Sequence, residues 1–304
     1  MINSILISPR DVRAFEEDGA IVLRDLISPV VIQAIRETFE KIAISTPLGF
    51  TARYKRMTYN LEDHTDIFDQ ITGSENFGKI TEKLTGRQLI LTQVLGLESE
   101  PHPEVAVKWH YDQTSYGFVD VDVPAFGLWF PLVNIYSNKQ RGGISWVSKQ
   151  KMSAQAKLSR WEDYYHRLYD LKLEHGEQYE ALNREFNYTT EYGLDWLTES
   201  DYQVLEENEV EFSFEVGDAV LMDRNVYHRS TPYLDGPIER RLVCVMRFVD
   251  AEAELNRKLF EGLNIHARIE NRILPRIFIS KLIDVPNRGK IASSRYSPKA
   301  FPAR

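Results

Sequence analysis

From residue 89 the chain breaks into short apolar runs punctuated by glycine: "QLILTQVLGLE", "EVAVKWHYDQTSYGF", "AFGLWFPLVNIY", "GGISWVS", "EVEFSFEVGDAVLMDR" and "ERRLVCVMRFVD". Gly96, Gly127, Gly142, Gly143 and Gly217 mark turns among runs of strand length, and helices do not alternate with them as a parallel βαβ sheet requires. This texture predicts an antiparallel sandwich or barrel. One segment departs from it. Residues 152–208 are charged and carry Trp161, Tyr164, Tyr165 and Leu168 at helical spacing. They predict a helical insert, either packed on the sandwich as decoration or closing over a site as a lid.

Upstream, "SPRDVRAFEEDG" has the marks of a helix: Ser8 to cap it, Pro9 at its first position and Gly19 to end it. A short strand, "AIVLRDLI", follows. A second Ser-Pro start then opens "SPVVIQAIRETFEKIAI", with Val31, Ile35, Phe39 and Ile42 on one helical face. Between 46 and 88 the chain is mixed; "NLEDHTDIFDQITG" and "ENFGKITEKLTG" read as helices closed by glycine. The tail, "NRGKIASSRYSPKAFPAR", is basic and rich in serine and proline, which predicts an irregular segment. There is no internal repeat. Residues 1–304 read as a single domain, mainly β with flanking helices.

With 43% hydrophobic and 27% charged residues the balance is that of an ordinary globular chain, and 304 residues suffice to bury a substantial core. A net charge of −8 argues against nucleic acid or an anionic membrane as partner, since both need clustered lysine and arginine. The single cysteine, Cys244, excludes an internal disulfide and any cysteine-based zinc or iron–sulfur site, which fits a reducing cytoplasm. Set within "LVCVM", it reads as core filler. The opening "MINSILISPRDV" lacks a basic region followed by a long apolar stretch, and no window approaches the length needed to span a bilayer.

In "AVKWHYDQTSYGF" (106–118) an extended chain aims side chains i and i+2 the same way, so His110 and Asp112 project together while Trp109, Tyr111 and Gln113 point away. The pattern alone is weak, because His64-Thr65-Asp66 repeats it and His102-Pro103-Glu104 nearly does. Helical context at 64–66 turns i and i+2 apart, and Pro103 suits a loop. A metal at His110 and Asp112 needs a third donor from another strand, and "VGDAVLMDRNVYHRST" leads an apolar strand into His228. Two imidazoles and one carboxylate on one face of an octahedral ion leave the other face open. That geometry and donor set suit Fe(II) that must accept a cosubstrate and dioxygen.

The order His-x-Asp, distal His, then Arg on the next strand resembles the Fe(II)/2-oxoglutarate-dependent dioxygenases, specifically the phytanoyl-CoA dioxygenase-like branch. Four stretches carry the resemblance over most of the chain: "FEEDGAIVLRDLISPVVIQAIR", "KWHYD", "RGGISWVSKQK" and "VGDAVLMDRNVYHRS". It implies a double-stranded β-helix core of the jelly-roll, cupin-like type. It also implies Fe(II) on His110, Asp112 and His228, with 2-oxoglutarate and O2 as cosubstrates. An arginine is then expected for the distal carboxylate of 2-oxoglutarate, since its planar fork pairs two oxygens and stays charged. In "IERRLVCVMRF" Arg240 and Arg241 compete. Counting back from Phe248 favours Arg241, with Val243, Val245 and Arg247 on its face. The His-to-Arg loop, "RSTPYLDGPIER", is longer than the family's and keeps Arg240 as the alternative. Ser230 matches the family's hydroxyl near that carboxylate. Gln93 and Trp129 match cosubstrate-pocket positions, although core packing accounts equally for Trp129. Tyr116 falls where the family's substrate-side rim is found.

The resemblance implies that dioxygen is spent in decarboxylating 2-oxoglutarate to succinate and CO2 while an unactivated C–H bond of the substrate is oxidised. Hydroxylation is the default outcome, with desaturation, ring closure and epoxidation open. Asp112 argues against halogenation, which needs a small residue in its place. A free small molecule of specialised metabolism is favoured as substrate over an acyl-CoA. Tyr111, Tyr116, Phe118 and Trp146 are candidates to line its pocket or to pack in the core. The rival readings are a non-catalytic jelly-roll binding or regulatory protein and a zinc hydrolase.

Overall fold

The computed structural model describes residues 2–42, 54–102, 104, 107–186, 197–270, 281–296 and 300–301. Part of the predicted insert (187–196), the start of the 46–88 stretch, Pro103 and parts of the tail (297–299 and 302–304) lie outside them. Among the described residues the strands are β1 (Ala20–Leu23), β2 (Arg56–Tyr59), β3 (Leu89–Ser99), β4 (Ala125–Pro131), β5 (Ile144–Trp146), β6 (Val210–Glu211), β7 (Ala219–Asp223), β8 (His228–Ser230) and β9 (Arg241–Asp250). The helices are α1 (Pro9–Asp18), α2 (Pro29–Lys41), α3 (Ile67–Thr72), α4 (Glu75–Thr85), α5 (Gln155–His175), α6 (Tyr179–Phe186), α7 (Glu199–Glu207) and α8 (Arg257–Ile269).

All strand pairs are antiparallel, in a six-stranded sheet ordered β1-β7-β4-β9-β3-β2 and a three-stranded sheet ordered β6-β5-β8. The long strands are apolar on both sides because the large sheet is covered on both. Outward, Leu91, Val94, Leu128, Phe130, Met246 and Phe248 meet Phe15, Ile32, Ile35, Phe39, Phe68 and Phe77 of the N-terminal helices. Inward, Trp129, Val220 and Val243 meet Ile144 and Trp146 of the small sheet. Each such side chain contributes about 1.5–3 kcal/mol by leaving water. Two facing antiparallel sheets with helices on the outer face make the jelly-roll architecture.

The helix signals act as expected at α1, where Ser8 accepts from the Asp11 amide, Asp11 answers to the Ser8 backbone, and Gly19 closes at φ 75°. Three expectations need correction. "NLEDHTDIFDQITG" is not one helix but a 3₁₀ turn at Leu61–His64 followed by α3. The run around His110 is no strand beyond that residue; Thr114–Tyr116 forms a 3₁₀ turn in which Ser115 can reach back to Asp112. The tail is not wholly irregular, since Phe301 bridges Leu89 and stacks on Phe77 at 5.3 Å.

The insert's long helix, α5, buries Tyr164, Tyr165 and Leu168 against α8. The approach is close enough that a Cβ on Gly262 of α8 would sit 1.9 Å from the Tyr165 carbonyl oxygen. Backbone on that side leaves nothing flexible to yield. Gly262→Ala is therefore expected to lower stability by about 1–3 kcal/mol, read as a fall in melting temperature or denaturation midpoint; an unchanged midpoint would show that the helices can separate freely.

Candidate metal centre

The small sheet and the His-x-Asp segment meet through backbone hydrogen bonds, the Ser230 amide donating to the Val107 carbonyl at 3.0 Å and His110 pairing with His228. The His110 amide donates to the His228 carbonyl and the His228 amide to the His110 carbonyl, both at 2.9 Å. This brings the two imidazoles to a centroid separation of 4.2 Å. His110, Asp112 and His228 each offer a ligand atom, and these atoms lie within 4.8 Å of one another, the one such group of three or more among the described residues. His64 is not in it.

Each ring has its orientation fixed by the chain two residues back. His110 Nδ1 lies 2.8 Å from the Lys108 carbonyl and His228 Nδ1 lies 3.0 Å from the Val226 carbonyl. A carbonyl only accepts, so both Nδ1 atoms carry the proton and both Nε2 lone pairs are free for a metal. Burial, helped by His228, depresses the His110 pKa to about 3, so that ring is neutral at pH 7. Burial pushes Asp112 up, but the Arg247 guanidinium and the two imidazoles pull it down to about 2, so it is ionised. His110 and Asp112 thus present a neutral nitrogen and a carboxylate, with no proton on either for an arriving cation to displace near pH 7.

The chain on either side of Asp112 is fastened to the insert. Trp161 Nε1 donates to the Tyr111 hydroxyl at 3.1 Å, and Gln113 Nε2 donates to the Tyr165 hydroxyl at 2.6 Å. Alternation had sent Tyr111 and Gln113 away from the metal side, and α5 is what they meet there.

Arg241 is 3% exposed on the inner face of β9, opposite Ser99. Its Nε and Nη1, together with Thr231 Oγ1 and Ser99 Oγ, are buried without a hydrogen-bond partner among the described residues. Arg241, Ser99 and Thr231 line one small cavity, along with His102, Tyr233 and two carboxylates, Glu100 and Glu104. The guanidinium is hydrogen-bonded to Tyr54, but two of its nitrogens stay unpaired beside two idle hydroxyls, which makes a cradle for a carboxylate. Arg240 faces the other way and pairs with Glu98 at 2.8 Å. Glu98 is fully buried and also holds Arg56, so Arg240, though its side chain is 38% exposed, shares a buried carboxylate.

No family model matches the chain, and no curated protein matches it. Solved structures do. The alpha-ketoglutarate-dependent epimerase SnoN from nogalamycin biosynthesis superposes with a TM-score of 0.61 at 13% identity, covering 95% of this chain and 96% of that one. The non-heme carbocyclase SnoK of the same biosynthesis gives 0.57 at 16% identity, over 82% and 86%. EctD from S. alaskensis gives 0.57 at 15% identity, over 85% and 84%. The fold is that of non-heme iron, 2-oxoglutarate-dependent enzymes.

Within this fold the remaining sequence-derived residues are placed as follows. Ser230 pairs with Ile144 and shares the side of His228; the hydroxyl beside Arg241 is that of Thr231, which the sequence reading passed over. Gln93 faces inward and accepts from Arg247 at 2.9 Å. Trp129 packs in the core between the sheets, edge-on to Phe214. Tyr116 is fully buried rather than at a rim, and its hydroxyl donates to the Phe126 carbonyl. Arg247, absent from the sequence-derived site except as a face-mate of Arg241, donates to Asp112 Oδ1 at 3.2 Å.

His110→Ala, Asp112→Ala and His228→Ala are each expected to lower Fe(II) affinity at least about tenfold in a folded protein, whereas His64→Ala leaves it unchanged. Metal titration with circular dichroism checks this. Iron bound at wild-type strength by any of the first three would remove that residue from the ligand set.

Proposed function

We propose that this chain is an Fe(II)- and 2-oxoglutarate-dependent oxygenase of the phytanoyl-CoA dioxygenase-like branch, oxidising an unactivated C–H bond of a small molecule. The observation that carries the reading is the pair of imidazoles with both Nδ1 atoms committed to backbone carbonyls, leaving two Nε2 donors beside one carboxylate. His110, Asp112 and His228 would hold the iron, and the two unpaired nitrogens of the Arg241 guanidinium, beside Thr231, would take the distal carboxylate of 2-oxoglutarate. Ser230, Gln93 and Trp129 are secondary candidates on the same interior. A bound iron would activate dioxygen at the expense of the keto acid: one oxygen atom goes to succinate as CO2 leaves, the other to the substrate.

The chain's own part in this is arrangement. Backbone carbonyls fix the imidazole planes, Arg241 supplies a buried positive charge for the cosubstrate, and the core of Trp129, Val243 and Ile144 keeps the interior largely dry. A small-molecule substrate is supported by two neighbours of this fold. One solved structure has SnoN with alpha-ketoglutarate and nogalamycin RO (TM-score 0.55, 13% identity), the other HygX with 2-oxoglutarate and hygromycin B (0.53, 12%). A reducing, cytoplasmic setting is supported by the single buried Cys244. No helix among the described residues is long and apolar enough to cross a membrane.

The decisive experiment adds Fe(II) and 2-oxoglutarate without oxygen and looks for the visible charge-transfer band of a chelated keto acid, followed by a screen of small molecules for stimulated succinate release. A colourless protein with no iron or cosubstrate binding would leave the non-catalytic jelly-roll reading. Turnover on zinc without oxygen would point to a hydrolase. For the cosubstrate, truncating one member of a buried ion pair costs about 3–5 kcal/mol, so Arg241→Ala is expected to raise the 2-oxoglutarate requirement at least about a hundredfold. Arg240→Ala is expected to change it less than about tenfold and to cost stability instead, by releasing Glu98. Titrating 2-oxoglutarate against both variants ranks them, and the reverse order would move the role to Arg240.

A further inference from the structure

Asp112 is held from one side only. Its Oδ1 accepts from Arg247 Nη2 at 3.2 Å and from Ser115 Oγ at 3.1 Å. Neither bond involves Oδ2, which faces the inner surface of β4: a Cβ built on Gly127 would lie 3.8 Å from it. The guanidinium is itself anchored, since Nη1 donates to Gln93 Oε1 at 2.9 Å and Gln93 Nε2 donates in turn to Asn60 Oδ1 at 3.2 Å. Gln93 reaches this position through an irregularity of β3. Leu91 stands opposite Phe248 and Gln93 opposite Arg247, so Thr92 is an extra residue that turns the strand over between them.

We infer that Arg247 is a positioning residue that restricts Asp112 to ligating through Oδ2 alone. The inference rests on the metal-centre reading above. Oδ1 with two donors on it has little capacity left, so the carboxylate cannot swing to present both oxygens to one ion. Three single-atom ligands leave three positions on an octahedral ion, and a chelating keto acid takes two of them. A carboxylate that used both oxygens would close the third. Arg247 does this against its own electrostatics, because a cation beside the centre repels the metal it helps to arrange. A lost guanidinium should therefore not weaken metal binding; it should change how many positions stay open.

Mn(II) makes that count measurable through the relaxation of exchanging water protons. In Arg247→Met the ion is expected to bind within about threefold of wild-type affinity or tighter, while the relaxation enhancement per bound ion falls by about a third, from three open positions to two. Arg247→Lys, which can still place one donor on Oδ1, is expected to recover most of the enhancement. A folded Arg247→Met with wild-type enhancement per ion would overturn the inference, as would a lysine variant no better than methionine. Should Arg247→Met not fold, Gln93→Leu removes only the anchor, and an unchanged enhancement there would overturn the inference equally. Wild-type protein that binds no Mn(II) or Fe(II) would instead refute the metal centre itself.

Discussion

The two hydrogen bonds exchanged between His110 and His228 are the contact on which the rest of the centre depends. They join a segment that has left regular strand structure to the small sheet, and they set two imidazoles side by side at 4.2 Å. Everything around them serves to keep that pair from shifting. The Lys108 and Val226 carbonyls fix the rings, α5 grips Tyr111 and Gln113 on either side of Asp112, and Arg247 and Ser115 hold the carboxylate. The insert thus supports the ligand-bearing segment from outside, and Trp161 and Tyr165, aromatic side chains with polar tips, suit that work by burying a ring while binding a partner.

The large sheet explains why the site can sit so deep. Both of its faces are covered, so its strands supply apolar residues alternately to the helices and to the interior, save at the irregularity of β3 around Thr92, and polar groups on the inner face are exceptions that need partners. Arg247 donates to Gln93 and Asp112 and leaves only its Nε without a partner. Arg241, Ser99 and Thr231 retain unpaired atoms, and they cluster. Other buried polar atoms also lack partners, Ser145 Oγ and Tyr227 Oη among them, but here four such atoms on three residues gather round one cavity, and that convergence suits a polar ligand.

Much of this was legible in the sequence. Glycine-punctuated runs gave the antiparallel class, and period-two alternation put His110 with Asp112 and separated Arg241 from Arg240. Helical context was the wrong ground for setting His64 aside, because Thr65 after it is extended, although His64 does lie outside the cluster. What alternation cannot supply is the partner. Arg247 was assigned to the right face, but its bond to Asp112 depends on a segment far away in the chain that abandons strand geometry just where the carboxylate sits. The extra Thr92 was invisible for a related reason: period-two counting from Leu91 sends Gln93 outward, and only the pairing with β9 reveals the reversal. The partnership of Glu98 with Arg56 arises because the two stand directly opposite in the β2–β3 pairing, and Arg240 joins them from just before β9, contacts that the pattern of a single strand does not encode.

The anchoring of both histidine rings by their own local backbone has a thermodynamic corollary. A site whose donors are already oriented asks for little ordering when an ion arrives, so metal binding is separable from folding, unlike a zinc finger that collapses around its metal. The ion's affinity then appears as heat resistance, growing with the logarithm of free metal over its dissociation constant, by about 2.7 kcal/mol at a hundredfold excess. With iron in the proposed centre, iron supply would set part of the margin of stability without deciding whether the jelly-roll forms.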